Sequence, residues 1–177
     1  MIYLEQNFEY GVIDHNGNKY NDSNSDEFQF VCNTQWKLRS VENMLRDGVG
    51  HCYDQVEIER YWFTKNGFEI KTFWISAYQK EIENSGFSHT YLLFQDNGVW
   101  KLFEHSDFSN RGIYSFKSVN DAVKWQAEHQ IKLAESCIRP LKQYTTCIKE
   151  YSNPPANVNM QGYLQFINNS EDYVLQP

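Results

Sequence analysis

One cysteine, Cys52, lies in a setting that favours nucleophilic chemistry. It follows Gly48 and Gly50, whose flexible backbone suits a sharp turn. It also begins a run without Gly or Pro until Gly67, which predicts a buried helix. At the N-terminus of such a helix, unpaired backbone N–H groups and the helix dipole stabilise a thiolate, the nucleophilic form of cysteine. The same N–H groups would face an oxyanion formed when the sulfur attacks a carbonyl.

Two strands that could supply partners for this sulfur are predicted further along the chain. Residues 88–94 and 99–104 are each rich in aromatic and aliphatic side chains, which is typical of strands. Between them, Asp96-Asn-Gly98 is the strongest hairpin signal in the sequence. The strands are therefore predicted to pair antiparallel, and a two-residue turn places Asp96 opposite Val99.

The same register brings a histidine and a carboxylate together. Continuing the pairing outward places Glu104 opposite Tyr91, two residues from His89 and on the same face of the sheet. His89 is predicted to take the thiol proton from Cys52 and to hold the thiolate in an ion pair. Glu104 is predicted to bind the other ring nitrogen and support the imidazolium.

The order of these three residues and the motifs around them resemble the core of the transglutaminase-like superfamily. The motifs are Gly48-Val-Gly-His-Cys-Tyr-Asp54, Ser88-His-Thr-Tyr-Leu-Leu-Phe94 and Gly98-Val-Trp-Lys-Leu-Phe-Glu104. Through this resemblance Cys52 matches the nucleophile, His89 the base and Glu104 the acid. Asp54 matches an acidic supporting position two residues after the cysteine. The resemblance covers about residues 34–107. It implies an α+β fold with a papain-like core, in which the Cys-bearing helix packs on an antiparallel β-sheet.

The resemblance leaves two functions open. The first is acyl transfer or hydrolysis at a carboxamide or peptide carbonyl through a thioester, of the protease, deamidase or transglutaminase type. Its partners would be a protein or peptide substrate and, for transfer, an amine acceptor, with no cofactor. The second is an inactive module that binds a protein or peptide in the same cleft. Glu104 stands where the family usually has Asp, and His51 and Tyr53 are uncommon neighbours of the cysteine.

Each candidate residue also has a structural interpretation. Alone, Cys52 would be read as a buried structural thiol and His89 as a hydrogen-bonded strand histidine. Three residues compete with Glu104 for the acid position: Asp107, Asp96 and His105. A bulge in the strand could bring Asp107 next to His89.

The oxyanion hole would use the backbone N–H of Cys52 and a side-chain donor. Gln35 and Trp36 are candidates, since both can donate and both precede the nucleophile, but ordinary helix packing is the preferred interpretation of each. His51 and His105 suggest a metal site only weakly. No third ligand has suitable spacing, so no metal is expected.

Length and charge restrict the function classes. The 177 residues fit one domain over residues 1–177, and the net charge of -7 argues against nucleic acid or an anionic membrane as the main partner. No signal peptide and no apolar run of about 20 residues is visible, which predicts a cytoplasmic protein without a membrane span. The four cysteines form no CxxC pair, so reduced thiols are expected: Cys32, Cys52, Cys137 and Cys147.

The remaining pattern predicts elements on both sides of the core, including a C-terminal extension of helix and strand over residues 118–167. They are a short strand over 8–12, an exposed loop over 21–26, a helix over 34–45 with a break near Ser40, a strand over 68–75, a helix from Ser118 to about Ala134, an interruption at Pro140, a strand over 144–151, a helix capped by Asn159 and a frayed tail over 168–177.

Overall fold

The chain has a mixed α+β architecture. The computed structural model describes residues 2–80, 86–137 and 144–176. Over these residues it has six helices: α1 Ile2–Asn7, α2 Asp26–Thr34, α3 Val41–Asp47, α4 Cys52–Lys65, α5 Val119–Cys137 and α6 Met160–Asn168. The strands are β1 Val12–Ile13, β2 Lys19–Tyr20, β3 Glu69–Tyr78, β4 Phe87–Asp96, β5 Val99–Glu104, β6 Gly112–Phe116, β7 Thr145–Tyr151 and β8 Glu171–Asp172.

Six of these strands form one antiparallel sheet in the order β6-β5-β4-β3-β7-β8. The β4–β5 hairpin has the predicted register, with Asp96 opposite Val99. Asn97 and Gly98 both have positive φ, 51° and 79°, as the favoured two-residue hairpin turn requires. The hairpin prediction is confirmed. Its register fixes where Glu104 of β5 lies relative to His89 of β4.

Helices cover both faces of the sheet. Leu92 and Phe94 of β4 share one apolar cluster with Val56 and Phe63 of α4. The alternate residues of β4 and β5 belong to a second cluster with α5: Tyr91, Leu93, Leu102, Ala122 and Val123. Because both faces are covered, the centre of β4 is buried at consecutive positions instead of alternate ones. The Cys-bearing helix α4 thus packs directly on β4, the strand that carries His89.

The N-terminal third differs from the prediction. Residues 2–7 form a helix instead of leading into a strand over 8–12, because Leu4 and Phe8, one helical turn apart, pack together on the α4 side of the sheet. Only Val12–Ile13 is extended. The loop predicted over 21–26 ends at Ser25, whose side chain caps α2.

The helix predicted over residues 34–45 is wrong before the predicted break near Ser40, whereas its second part is present as α3. The chain is non-helical from residue 35 to residue 40, because Leu38 exchanges backbone hydrogen bonds with Asn157 and Val158 just before α6. Ser40 then caps α3 by accepting a hydrogen bond from the Asn43 N–H, at the position of the predicted break. A long-range pairing has therefore overridden the local helical pattern.

The C-terminal extension largely follows the prediction. Ser118 accepts a hydrogen bond from the Asp121 N–H at the start of α5, β7 is present, and Asn159 caps α6. Strand β6 was not predicted. The frayed tail predicted over residues 168–177 is wrong in part, because β8 within it pairs with β7. The interruption predicted at Pro140 lies outside the described residues. In the described ranges, no helix is long and apolar enough to cross a membrane.

Candidate active site

Cys52 is the first residue of α4, and its helix start is held by a reciprocal cap. His51 is the N-cap residue, and its Nδ1 accepts a hydrogen bond from the Tyr53 N–H at 3.2 Å. Asp54 Oδ2 accepts the His51 N–H in return, also at 3.2 Å. Burial lowers the pKa of His51, so its ring stays neutral and Nδ1 remains an acceptor. No described group accepts a hydrogen bond from the Cys52 N–H, which leaves it directed out of the helix start.

Asp54 ties this helix start to the preceding segment. Its carboxylate is fully buried and accepts a hydrogen bond from the indole Nε1 of Trp36 at 3.0 Å. Arg39 lies 3.9 Å from the other carboxylate oxygen. These contacts hold the start of α4 to the segment before it, and they also use the only side-chain N–H that Trp36 could offer to an oxyanion.

Gln35, the other suggested oxyanion donor, has a different connection. Its side-chain oxygen accepts the His15 N–H at 3.3 Å, in the turn between β1 and β2. The hydrogen bond of Gln35 uses its side-chain oxygen, and no described group accepts a hydrogen bond from its Nε2. The candidate donors that the described contacts leave without an acceptor are therefore Gln35 Nε2 and the backbone N–H of Cys52.

His89 and Glu104 meet in the interior. His89 Nε2 lies 2.8 Å from Glu104 Oε2, and the two residues are 7 % and 1 % exposed. The second oxygen of Glu104 accepts the Asp107 N–H at 2.9 Å and the Ser106 hydroxyl at 3.3 Å. Both carboxylate oxygens therefore have partners, and Glu104 is fixed at its position beside the imidazole.

The Cys52 side chain lies close enough to His89 to interact with its ring electrostatically. Burial by itself would lower the pKa of His89, but the Glu104 carboxylate and the Cys52 side chain outweigh it and hold the pKa well above its ordinary value. The ring thus carries a positive charge between a carboxylate and a sulfur. The structure brings together Cys52, His89 and Glu104 as one connected group.

The competing acids have other partners. Asp107 pairs with His129 Nε2 at 2.6 Å and supports Glu104 through its backbone only. Asp96 pairs with Lys101 at 2.6 Å. His105 Nδ1 contacts the Gln55 side chain at 2.6 Å, and burial lowers the pKa of His105 to about 4, so this ring is neutral. Glu104 is therefore the carboxylate that His89 contacts.

A tyrosine that the sequence did not suggest covers the sulfur. Tyr10 packs against the buried cluster that contains Cys52, and Cys52 is 7 % exposed. The Tyr10 ring stacks on Phe28 at 6.3 Å and meets Phe108 edge-on at 5.7 Å. Burial, followed by the proximity of Cys52, raises the pKa of Tyr10 well above its usual range, so the hydroxyl stays protonated. No motif connects Tyr10 with Cys52, and only the fold shows the contact.

The surroundings contain thiols but no metal cluster. Cys32 lies near Cys52, and burial raises the pKa of Cys32 to about 12, which keeps this thiol protonated. Cys32, Cys52 and Cys147 are all free. In the part of the chain that the structure describes, no group of three His, Cys, Asp or Glu side chains is placed to hold a metal ion.

Comparisons with profiles of known protein families and with curated proteins find no match to this chain. The chemistry of the site is therefore interpreted from its own geometry. A sulfur at a helix start, next to a charged imidazole that a buried carboxylate holds, can attack an electrophilic carbonyl and return a proton to the leaving group.

The first prediction concerns the pH dependence of stability. Because folding raises the pKa of His89, the stabilisation by its charged form is complete below the unfolded value of about 6.5 and is lost as the pH rises toward the folded value. We expect the difference in unfolding free energy between wild type and the double variant His89→Gln/Glu104→Gln, which leaves no unpaired carboxyl, to be largest below about pH 6.5 and to fall by up to about 1.4 kcal/mol per pH unit above it. Urea unfolding at several pH values measures this difference. A difference that stays constant or grows with pH would contradict the charged state of His89.

The second prediction concerns access to the sulfur. Tyr10→Ala removes the covering ring, so we expect iodoacetamide to alkylate Cys52 several-fold faster than in wild type. Tyr10→Phe keeps the ring and is expected to leave Cys52 as slow as in wild type, or slower. Peptide mapping by mass spectrometry gives the rate at Cys52, with Cys147 on β7 as an internal control. Equal rates in wild type and Tyr10→Ala would show that Tyr10 does not limit access.

Proposed function

We propose that the chain is a cysteine-dependent enzyme that hydrolyses or transfers an acyl group at a carboxamide or peptide carbonyl. The observation that carries this proposal is the shared imidazole of His89, which contacts Cys52 on one side and Glu104 at 2.8 Å on the other. We assign the core to the transglutaminase-like superfamily with a papain-like fold. The motifs around the three residues and the packing of α4 on an antiparallel sheet support this assignment.

The reaction follows from the positions of the three side chains. The Cys52 sulfur attacks the carbonyl carbon, and the developing oxyanion faces the Cys52 N–H at the start of α4. As the carbon–nitrogen bond breaks, the leaving nitrogen takes a proton from the His89 imidazolium, and a thioester remains on Cys52. Water or a primary amine then attacks the thioester and gives its proton to His89. The carbon–sulfur bond breaks and the thiolate is regenerated.

Glu104 is compatible with this reaction although the family usually has Asp there. The longer side chain reaches His89 Nε2 with one oxygen while the Asp107 N–H holds the other. Glu104 thus keeps the imidazole oriented and compensates its charge in a buried place. It acts on His89 and does not touch the substrate.

The second candidate is an inactive protein- or peptide-binding module built on the same core. The burial of Cys52, which is 7 % exposed and has Tyr10 as a neighbour, favours it, because a substrate carbonyl has little access to the sulfur. The buried ion pair of His89 and Glu104 favours the enzyme, since a binding module has no use for a charged imidazole next to a covered thiol.

The third prediction separates the two candidates. Wild-type protein is incubated with casein and a primary amine, and mass spectrometry detects deamidated, cleaved or amine-modified acceptor. We expect turnover by wild type, and a loss of about 100-fold or more in Cys52→Ser and in His89→Ala, because the nucleophile or its proton carrier is missing. Cys147→Ser, which changes a thiol outside the site, is the matched control and is expected to keep wild-type turnover.

Two results would contradict the enzymatic proposal. One is turnover that survives in Cys52→Ser. The other is wild-type protein that neither modifies an acceptor nor accumulates an acyl adduct on Cys52, while it still binds a protein or peptide. That outcome would support the binding module.

A further inference from the structure

A cavity of about 640 Å³ lies between α1, α4 and the β4–β5–β6 part of the sheet. Its inner walls are buried apolar side chains, among them Leu4, Ile58 and Phe103. At its rim, Trp62 and Ile113 keep about half of their surface exposed, 53 % and 52 %. A cavity of this size with apolar walls and an open apolar rim is typical of a small-molecule site.

One acidic side chain, Glu59, lines this cavity, and no basic side chain does. Glu59 is 5 % exposed, and no described residue forms a hydrogen bond with its carboxyl group. Burial raises the pKa of Glu59 well above its usual range; the Glu104 carboxylate adds to this effect and the His89 imidazole opposes it. A carboxyl group in an apolar wall has few polar contacts, so a ligand that binds it would gain both apolar contact and a strong hydrogen bond.

The cavity is separate from the sulfur. Glu59 follows Cys52 by seven residues, which is two helical turns or about 10 Å along the axis of α4. The cavity is lined by α1, α3, α4 and the strands, and neither Cys52 nor His89 belongs to its lining. A ligand bound there would not occupy the position of a carbonyl at Cys52.

The charges select the kind of ligand. An anionic head group would meet the Glu59 carboxyl and find no basic side chain in the lining, so fatty acids and similar anions are disfavoured. An amine suits the carboxyl in either charge state, as an ammonium with a carboxylate or as a neutral amine that accepts the carboxyl proton. We propose that this cavity binds a small hydrophobic amine, with its apolar body between α1 and the sheet and its nitrogen on Glu59.

The experiment compares three probes with the same chain, decylamine, 1-decanol and decanoate, by titration calorimetry at neutral pH. For wild type we expect decylamine to bind at least about tenfold more tightly than 1-decanol, and decanoate to bind most weakly. Glu59→Gln keeps the shape of the side chain and removes its charge. In this variant the preference for the amine over the alcohol is expected to fall below about threefold, while 1-decanol binds as before.

Glu42→Gln is the matched control, because it removes the same charge from the exposed surface of the neighbouring helix α3. It is expected to keep the wild-type preference for decylamine. The proposal is overturned if no probe binds wild type, if decanoate binds as tightly as decylamine, or if Glu59→Gln retains the tenfold preference. If Glu59→Gln does not fold, the order of the three probes on wild type decides alone. None of these outcomes depends on turnover at Cys52.

Discussion

The candidate site depends on one constraint: the buried imidazole of His89 has to keep a positive charge. His89 is almost fully buried, and burial alone would remove its proton. The Glu104 carboxylate prevents this because it contacts Nε2 directly and is itself held by the backbone of residue 107. A charged imidazole stabilises an adjacent thiolate, which is why the pair matters for Cys52. Without Glu104, His89 would be a neutral ring in an apolar interior.

The second requirement is that the sulfur stays where it meets that ring. The N-terminus of α4 is tied to the rest of the molecule by buried polar contacts instead of apolar packing alone. Asp54 accepts hydrogen bonds from the His51 N–H and the Trp36 indole, and Gln55 donates to the Gly50 carbonyl. Such directional contacts fix the rotation of the helix, and rotation determines which side chain faces the sheet. The loop before α4 and the helix start therefore act as one rigid unit.

The parts of the fold that local sequence determines were predictable. The Asn97-Gly98 turn set the register of β4 and β5, and the helix start at Cys52 followed from its glycines and the uninterrupted run behind it. Cys52 belongs to this helix start, and His89 and Glu104 belong to the hairpin. The three residues of the candidate site could therefore be predicted from local sequence. Their role in catalysis stays a prediction. The resemblance to the transglutaminase-like superfamily is likewise part of the proposal.

The features that sequence reasoning missed depend on contacts between distant segments. Residues 35–40 have a helical pattern but pair with the segment before α6, so the predicted helix is broken there. Tyr10 reaches Cys52 only because the N-terminal segment pairs with the loop before α4, where Glu9 exchanges backbone hydrogen bonds with Gly48 and Gly50. Glu59 has no partner in the sequence pattern, and it lies in the wall of an apolar cavity because Leu4 of α1 and Phe103 of β5 pack around the same part of α4.

The most direct measurement of the central claim is a pH titration of the His89 imidazole by nitrogen-15 NMR. Resonances are assigned by comparison with His89→Gln, and Glu104→Gln serves as the variant without the carboxylate. The account predicts that both ring nitrogens of His89 are protonated at pH 7 in wild type, and that Glu104→Gln shifts the pKa of His89 downward. A His89 that is neutral at pH 7 in wild type, or that titrates identically in Glu104→Gln, would contradict the account.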